Sequence, residues 1–294
     1  MSRDGLTITM VVLAESANYG EGIGNITVLK KMTRGDYQQY SYISRQALRY
    51  SLIKQLKWDN TPVDGKSGVV QFAPSATIKD YPEIDLFGYM KTTSKEDGKQ
   101  EKGGATTRSA VVRLSNAIAL EAYQSDLEFL TNQGLAGRQN LENGIAQSEI
   151  HRSYYTYTIS IDLERIGIDG DIEVSQSEKA ERIKVLLDGI HYLYRDIRGR
   201  RENLSPLFII GGRYERKNPF FENRIKIKGN QIQINPLKQI LNDDENIDKH
   251  TFVGVIDDIF DNTKQIKEEL KAESIGTMFS QLKKEVDQYY GESN

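Results

Sequence analysis

The 294-residue chain has no cysteine, three histidines, one tryptophan and six prolines. Without cysteine there is no disulfide framework, and three histidines leave little material for a metal site. His151, His191 and His250 stand apart with no H-E-x-x-H spacing, so each reads as a surface or hydrogen-bonded core side chain. No apolar run approaches the ~20 residues needed to cross a bilayer. The opening "MSRDGLTITMVVLAESANYG" has a short apolar run that alternates with Thr and meets Glu15, which reads as a strand rather than a signal peptide. These absences predict a soluble, cytosolic chain with no cofactor, no metal and no membrane partner.

Net charge is also small, at −3, but its distribution is uneven. Residues 242–294 carry 13 acidic and 6 basic side chains, leaving 29 acidic against 33 basic in residues 1–241, a net of +4 there. Between Asn25 and Lys57 stand Lys30, Lys31, Arg34, Arg45, Arg49, Lys54 and Lys57 against one acid, Asp36. A second cluster follows Tyr194, with Arg195, Arg198, Arg200, Arg201, Arg213, Arg216 and Lys217 against Asp196, Glu202 and Glu215. Either cluster is a solvated face or a surface for phosphate.

What is present in quantity is β-branched and aromatic sequence. "LTITMVVLAE" (6–15) reads as a buried first strand, followed by strand-like "ITVLKKM" and "DYQQYSYI". Ser44 is a helix cap for "RQALRYSLIKQLK", where Leu48, Leu52 and Leu56 form one stripe and Arg45 and Arg49 lie along its edge. The segment 91–107 is almost free of apolar residues and reads as a mobile loop. "RSAVVRLS" restores a strand at 108–115, and residues 121–150 read as a projecting hairpin or loop. Beyond them lie the long strand "YYTYTISIDLERIG", a second long helix over "SQSEKAERIKVLLDGIHYLYRDIRG", and the buried strand "SPLFIIGGRYER". "NRIKIKGNQIQIN" has the Gly-Asn turn of a hairpin, an acidic loop follows, and "TFVGVID" and two helical patterns close the chain. The spine is strand, helix, strand, strand, helix, strand. That order predicts an α+β fold on the ferredoxin-like plan shared by the RNA-recognition fold. No repeat of 20 to 50 residues suggests a solenoid.

The glycines of "YGEGIGNITVLKK" (19–31) follow G-x-G-x-G spacing and precede a strand, so they fit neither a dinucleotide site nor a P-loop. "DLFG" (85–88) lacks the other kinase motifs. Asp257, Asp258 and Asp261 are a weak Mg²⁺ candidate or a solvated strand end. Phosphate binding without chemistry fits better: "YSYISRQALRYSLIK" combines hydroxyls, amides, arginines and aromatics at a helix N-terminus. The same stretch is also compatible with an ordinary amphipathic helix whose arginines snorkel past the sheet edge.

"NYGEGIGNITVLKK", "YISRQALRYSL", "DLFGYM", "RSAVVRLSNAIAL", "GLAGRQ…SEIHRSYYTYTISIDLERIG" and "GGR" occur in one order over about residues 6–216. In that order they resemble the backbone (Cas seven family) subunit of type I CRISPR Cascade complexes, in the DevR-like, subtype I-B branch. The resemblance implies one RRM-like palm over 1–294, with insertions at about 58–107, a thumb at about 121–150 and a C-terminal helical segment at about 251–294. It implies a non-catalytic antiviral-defence protein that polymerises along CRISPR guide RNA. Further copies of itself, a large subunit, a guide 5′-handle subunit and the target DNA strand paired to the guide are the other implied partners. In the family the I-S-x-Q-x-L-(K/R) helix start contacts guide phosphates, and Ser44, Gln46 and Arg49 match it; Asn18 and Lys30 match the preceding loop. With the neighbouring Lys31 and Arg45, and Arg213 of "GGR", these make the candidate RNA-binding set. Related type III backbone subunits cleave RNA with an Asp after the first helix. Asp59, Asp64, Asp80 and Asp85 fall in that region, so a metal-dependent ribonuclease is the alternative expectation.

Overall fold

The computed structural model describes residues 4–65, 68–92 and 105–291. Most of the polar segment expected to be a mobile loop, residues 93–104, lies outside them; its flanks Tyr89–Thr92 and Ala105–Arg108 pair with each other. Among the described residues no helix is long and apolar enough to cross a membrane.

The first strand, Gly5–Ala14, is central. It pairs antiparallel with Ser153–Asp162 on one side and with Phe208–Tyr214 on the other. Val112–Leu114 and Ala117–Ala119 both pair with Ser153–Asp162, and the sheet extends through Gln39–Ile43 to Lys31–Thr33. At the opposite edge Thr251–Val255 pairs with Phe208–Tyr214. The chain is therefore a mixed α+β fold. Its alternation is legible in the first strand: Leu6, Ile8, Met10, Val12 and Ala14 face one core, and Val11 faces a second. The threonines share that second parity, and Thr9 bonds the Thr158 hydroxyl at 2.8 Å.

The first core is roofed by the helices Arg45–Leu56, Gln176–His191 and Ile275–Gly291. The last of these buries Ile275, Met278, Phe279, Leu282, Val286 and Tyr290, an i, i+3, i+4, i+7 stripe. The second core holds Phe221, Leu237, Phe260 and Ile266 on the reverse of the sheet. Both faces of the central strands are covered, which is why "LTITMVVLA" is nearly uniformly apolar.

Several expectations are corrected. The second long helix ends at His191, and Tyr194–Ile197 turns back on Arg200–Asn203 through Arg198 and Gly199, both left-handed at φ 48° and 75°. "RSAVVRLS" is two strands separated at 109–111, because Val111 donates to Leu86 of the neighbouring short helix Pro82–Phe87. The expected acidic loop is two short helices, Asn235–Asp243 and Glu245–His250, the second capped by Asp244. The strand Thr251–Val255 precedes the C-terminal helices, in the order that "TFVGVID" and the two helical patterns suggest. The acids there are engaged with cations of the same chain: Glu285 pairs with Arg213 and Asp287 with Lys184.

The glycines of "GGR" explain how closely this edge is built. A Cβ on Gly212 would lie 1.8 Å from the His250 carbonyl oxygen, so Gly212→Ala forces backbone apart. We expect a stability loss of about 1–3 kcal/mol or more, read as a lower denaturation midpoint with an unchanged slope.

Candidate nucleic-acid interface

The first helix, Arg45–Leu56, is fixed at its N-terminus by three side chains. Ser44 caps it, its Oγ accepting from the Ala47 N–H at 3.2 Å. Asn18 Oδ1 accepts from the Ser44 N–H at 3.2 Å, and Asn116 Oδ1 accepts from the Arg45 N–H at 2.9 Å. Lys30 joins the group through its backbone, donating to the Asn18 carbonyl at 2.7 Å. Leu48, Leu52 and Ile53 anchor the inner face, and Lys57 ends the helix in the left-handed conformation.

On this scaffold Arg45, Gln46, Arg49 and Tyr50 are exposed. Arg45 and Arg49 make no ion pair among the described residues; Arg49 lies 6.0 Å from the Phe87 ring centroid. Two clefts flank the ridge they form. One, of about 370 Å³, has an apolar floor of Phe87, Ala110, Val112 and Leu114 beneath Arg45, Arg49 and Arg113. The other, of about 590 Å³, runs from Asn18 and Tyr19 past Tyr50 and Lys54 to Tyr194 and Asp196. Arg113 is paired with Asp162 at 2.9 Å, but the Arg45 and Arg49 guanidinium groups beside apolar and tyrosine-lined clefts suit a polyanion that also carries flat, weakly polar groups.

Six of the eight residues expected from sequence thus gather at one place, in two roles. Asn18, Lys30 and Ser44 are joined by backbone and capping bonds, and Arg45, Gln46 and Arg49 face out. The helix N-terminus offers an anion fewer free N–H groups than expected, because Ser44 and Asn116 take two of them. Lys31 and Arg213 lie elsewhere. Lys31 is paired with Glu149 at 2.7 Å. Arg213 is 2% exposed and its Nε donates to Glu285 at 2.9 Å, under the C-terminal helix.

The second basic cluster is largely engaged with acids of the same chain, one pair buried and the others at the surface. Buried Arg195 pairs with Glu202 and donates to the Ala17 carbonyl at 2.6 Å. Arg200 reaches Glu15 and Glu202, Arg201 reaches Asp196, and Lys217 reaches Glu164. Arg113, Asn116, Phe87 and the tyrosines of the wider cleft were missed in sequence. "RLSN" (113–116) supplies two of them, and only the pairing of its strands with Ser153–Asp162 and Gln39–Ile43 brings them to the helix.

Five of the aspartates considered for hydrolysis or Mg²⁺ are engaged by other side chains of the chain. Asp85 is 0% exposed and held by Arg108 at 2.6 Å and Arg182 at 2.8 Å. A hydrogen bond from Lys54 holds the Asp59 carboxyl below its usual range. Asp80 accepts from the Thr77 hydroxyl at 2.9 Å. Asp257 pairs with Lys267, and Asp261 accepts from Asn230 at 2.8 Å. Among the described residues no three His, Cys, Asp or Glu side chains gather where a metal ion would sit.

Residues 6–227 match the family described as "CRISPR-associated negative auto-regulator DevR/Csa2". The chain belongs to this family. A curated relative, "CRISPR-associated protein Cas7/Cst2/DevR" of Myxococcus xanthus (strain DK1622), is 27% identical over 168 residues, 51% of this chain and 54% of that protein. The chain therefore spans about half the length of the curated relative it matches. Among solved structures, a chain of a "CRISPR RNA-guided surveillance complex" superposes with a TM-score of 0.57 at 10% identity, covering 99% of this chain and 100% of that one. A chain of a "CRISPR RNA-guided surveillance complex, pre-nicking" gives 0.57 at 10% identity over 94% and 99%. At that identity the likeness is one of fold. It extends past the family match to the C-terminal helices of this DevR-family chain.

Near the site, His151 is 5% exposed and shares a 2.7 Å bond between its Nδ1 and the Ser41 hydroxyl. Burial pushes its pKa below the ordinary 6.5, and burial lowers that of His191 likewise. The unfolded chain takes up these protons first as pH falls, so the stabilising effect is complete above about pH 6.5 and is lost on acidification toward the folded-state values. Thermal melts between pH 7.5 and 5 should show a falling midpoint, and His151→Gln should flatten part of that fall.

Proposed function

We propose that this DevR-family chain is a non-catalytic, guide-RNA-binding backbone subunit of a DNA-targeting CRISPR surveillance complex, with several copies lying side by side along one guide. The carrying observation is the exposed, unpaired Arg45, Gln46 and Arg49 ridge between two clefts, set by the Asn18–Ser44–Asn116 cap. Arg45 and Arg49 neutralise phosphates and the capping residues hold register, while base pairing reads sequence. The strands Gly5–Ala14, the broken pair Val112–Leu114 and Ala117–Ala119 in one position, Ser153–Asp162 and Phe208–Tyr214, with helices Arg45–Leu56 and Gln176–His191 between them, serve as an RRM-like palm. The order 4-1-3-2 of those four strands supports that reading.

Residues 121–150 act as the thumb that meets the next copy. Its hairpin, Asp126–Thr131 with Ile145–Ile150, leaves Leu127, Phe129, Leu130, Leu135, Leu141 and Ile145 between 41% and 65% exposed. A patch of that kind favours burial against another chain. The large subunit, the 5′-handle subunit and the target strand are the remaining partners, in the cytoplasm.

Purification from a host expressing a CRISPR array tests the reading by mass and RNA content. The expected result is an oligomer holding RNAs with constant repeat-derived ends. An RNA-free monomer that takes up no added guide overturns it, and regularly spaced cuts in a complementary RNA with Mg²⁺ overturn the non-catalytic part.

A further inference from the structure

Lys31 stands among the cations of the first basic cluster, yet its ammonium group is turned away from the ridge. It donates to both carboxylate oxygens of Glu149, at 2.8 and 2.7 Å, and lies 4.3 Å from the Tyr123 ring centroid. Glu149 also accepts the Leu29 N–H at 2.8 Å. The two side chains are 15% and 13% exposed. Charge-assisted bonds in so dry a setting are stronger than surface ion pairs and fix geometry as well.

Position gives the pair its meaning. Glu149 lies one residue before the end of the strand Ile145–Ile150, where the exposed hairpin returns to the body, and Tyr123 precedes the other strand. Other contacts between hairpin and body include the short parallel pairing of Gln147 and Ser148 with Ile26 and Thr27, the Gln147 N–H donated to the Asn25 carbonyl at 3.0 Å, and a bond from Arg198 to Ser148. We propose that Lys31 and Glu149 are positioning residues that set the angle at which the hairpin stands on the sheet. That angle fixes the reach of one copy toward the next. The inference rests on the function proposed above and assigns Lys31 to assembly rather than to phosphate.

The test uses the full chain carrying Lys31→Met, Glu149→Gln or the exchange K31E/E149K. Hydrogen exchange of amides 126–150 in the RNA-free protein is the first readout. Both single variants should speed it about tenfold or more, and the exchange should restore it in part. Binding to a single-stranded RNA short enough for one copy should stay within about twofold, while cooperative filling of a long RNA should be lost in both singles. Unchanged exchange in both singles overturns the positioning role. So does weaker, less salt-dependent short-RNA binding in Lys31→Met alone, which would make Lys31 a phosphate ligand. A wild-type chain that binds no RNA sinks the function instead, and the exchange readout still decides whether the pair holds the hairpin.

Discussion

Asp85→Ala should unfold the protein at denaturant concentrations where the wild type is intact, with a loss of about 3–5 kcal/mol. The Asp85 carboxylate has Arg108 on one oxygen and Arg182 on the other, and both oxygens accept the Gly167 N–H at 3.0 and 3.1 Å. Removing it leaves two guanidinium groups, 4% and 3% exposed, without the buried carboxylate they share; of acidic partners, Arg182 keeps only the half-exposed Glu178 at 2.8 Å and Arg108 only Asp169 at 3.8 Å. Arg182 would keep its bonds to the Ile78 and Lys79 carbonyls at 2.7 and 3.0 Å, so its charge cannot simply swing into water. Asp85→Asn should be nearly as costly, since the amide keeps the shape and loses the charge. Urea titration of both variants is the check; a midpoint within error of wild type for Asp85→Ala would show that the network contributes little. Below the transition the folded fraction should still bind RNA, and it is the loss of stability that marks the carboxylate as structural.

Arg45→Ala and Arg49→Ala should leave the fold intact and weaken RNA binding, each lowering the log-log salt slope by about 0.7 and the double variant by about 1.4. Both side chains are exposed and neither holds an acid among the described residues, so truncation removes a ligand contact without stranding a partner. Arg201→Ala is the control: its guanidinium is paired with Asp196 at 2.9 Å, and the slope should not move. Arg49→Lys should recover most of the slope but less of the affinity, because a point charge cannot reproduce two-pronged recognition. Filter binding across a salt series reads all five variants. Equal slopes for wild type and double variant would sink the assignment of this ridge to phosphate.

How much of this was legible beforehand depended on whether the cause was local. Ser44, the stripe Leu48 and Leu52, and the Gly229–Asn230 turn with both residues left-handed at φ 55° and 58° are short-range signals, and they gave helix and hairpin where they stand. The apolar period of the second long helix continued past its end through Ile190 and Leu193. Beyond that end Arg195 pairs with nearby Glu202 and also donates to the Ser16 and Ala17 carbonyls, 179 and 178 residues away, contacts that no window of sequence contains. The same limit applied to the cations. Lys31 looked like its neighbour Lys30, and Arg213 like Arg216. Glu149 and Glu285, 118 and 72 residues away, decide that Lys31 and Arg213 face inward. The ridge residues were identifiable because an exposed helix start is specified by the residues within it.

The uncovered hairpin also bears on how this protein must be produced. Six large apolar side chains on two strands and the turn between them would be tolerable in a filled assembly and sticky in a lone copy, where the strands offer a template for unspecific pairing. On the function proposed above, chains made in excess of guide RNA are the aggregation-prone species, and soluble yield should track the supply of RNA rather than the strength of the promoter.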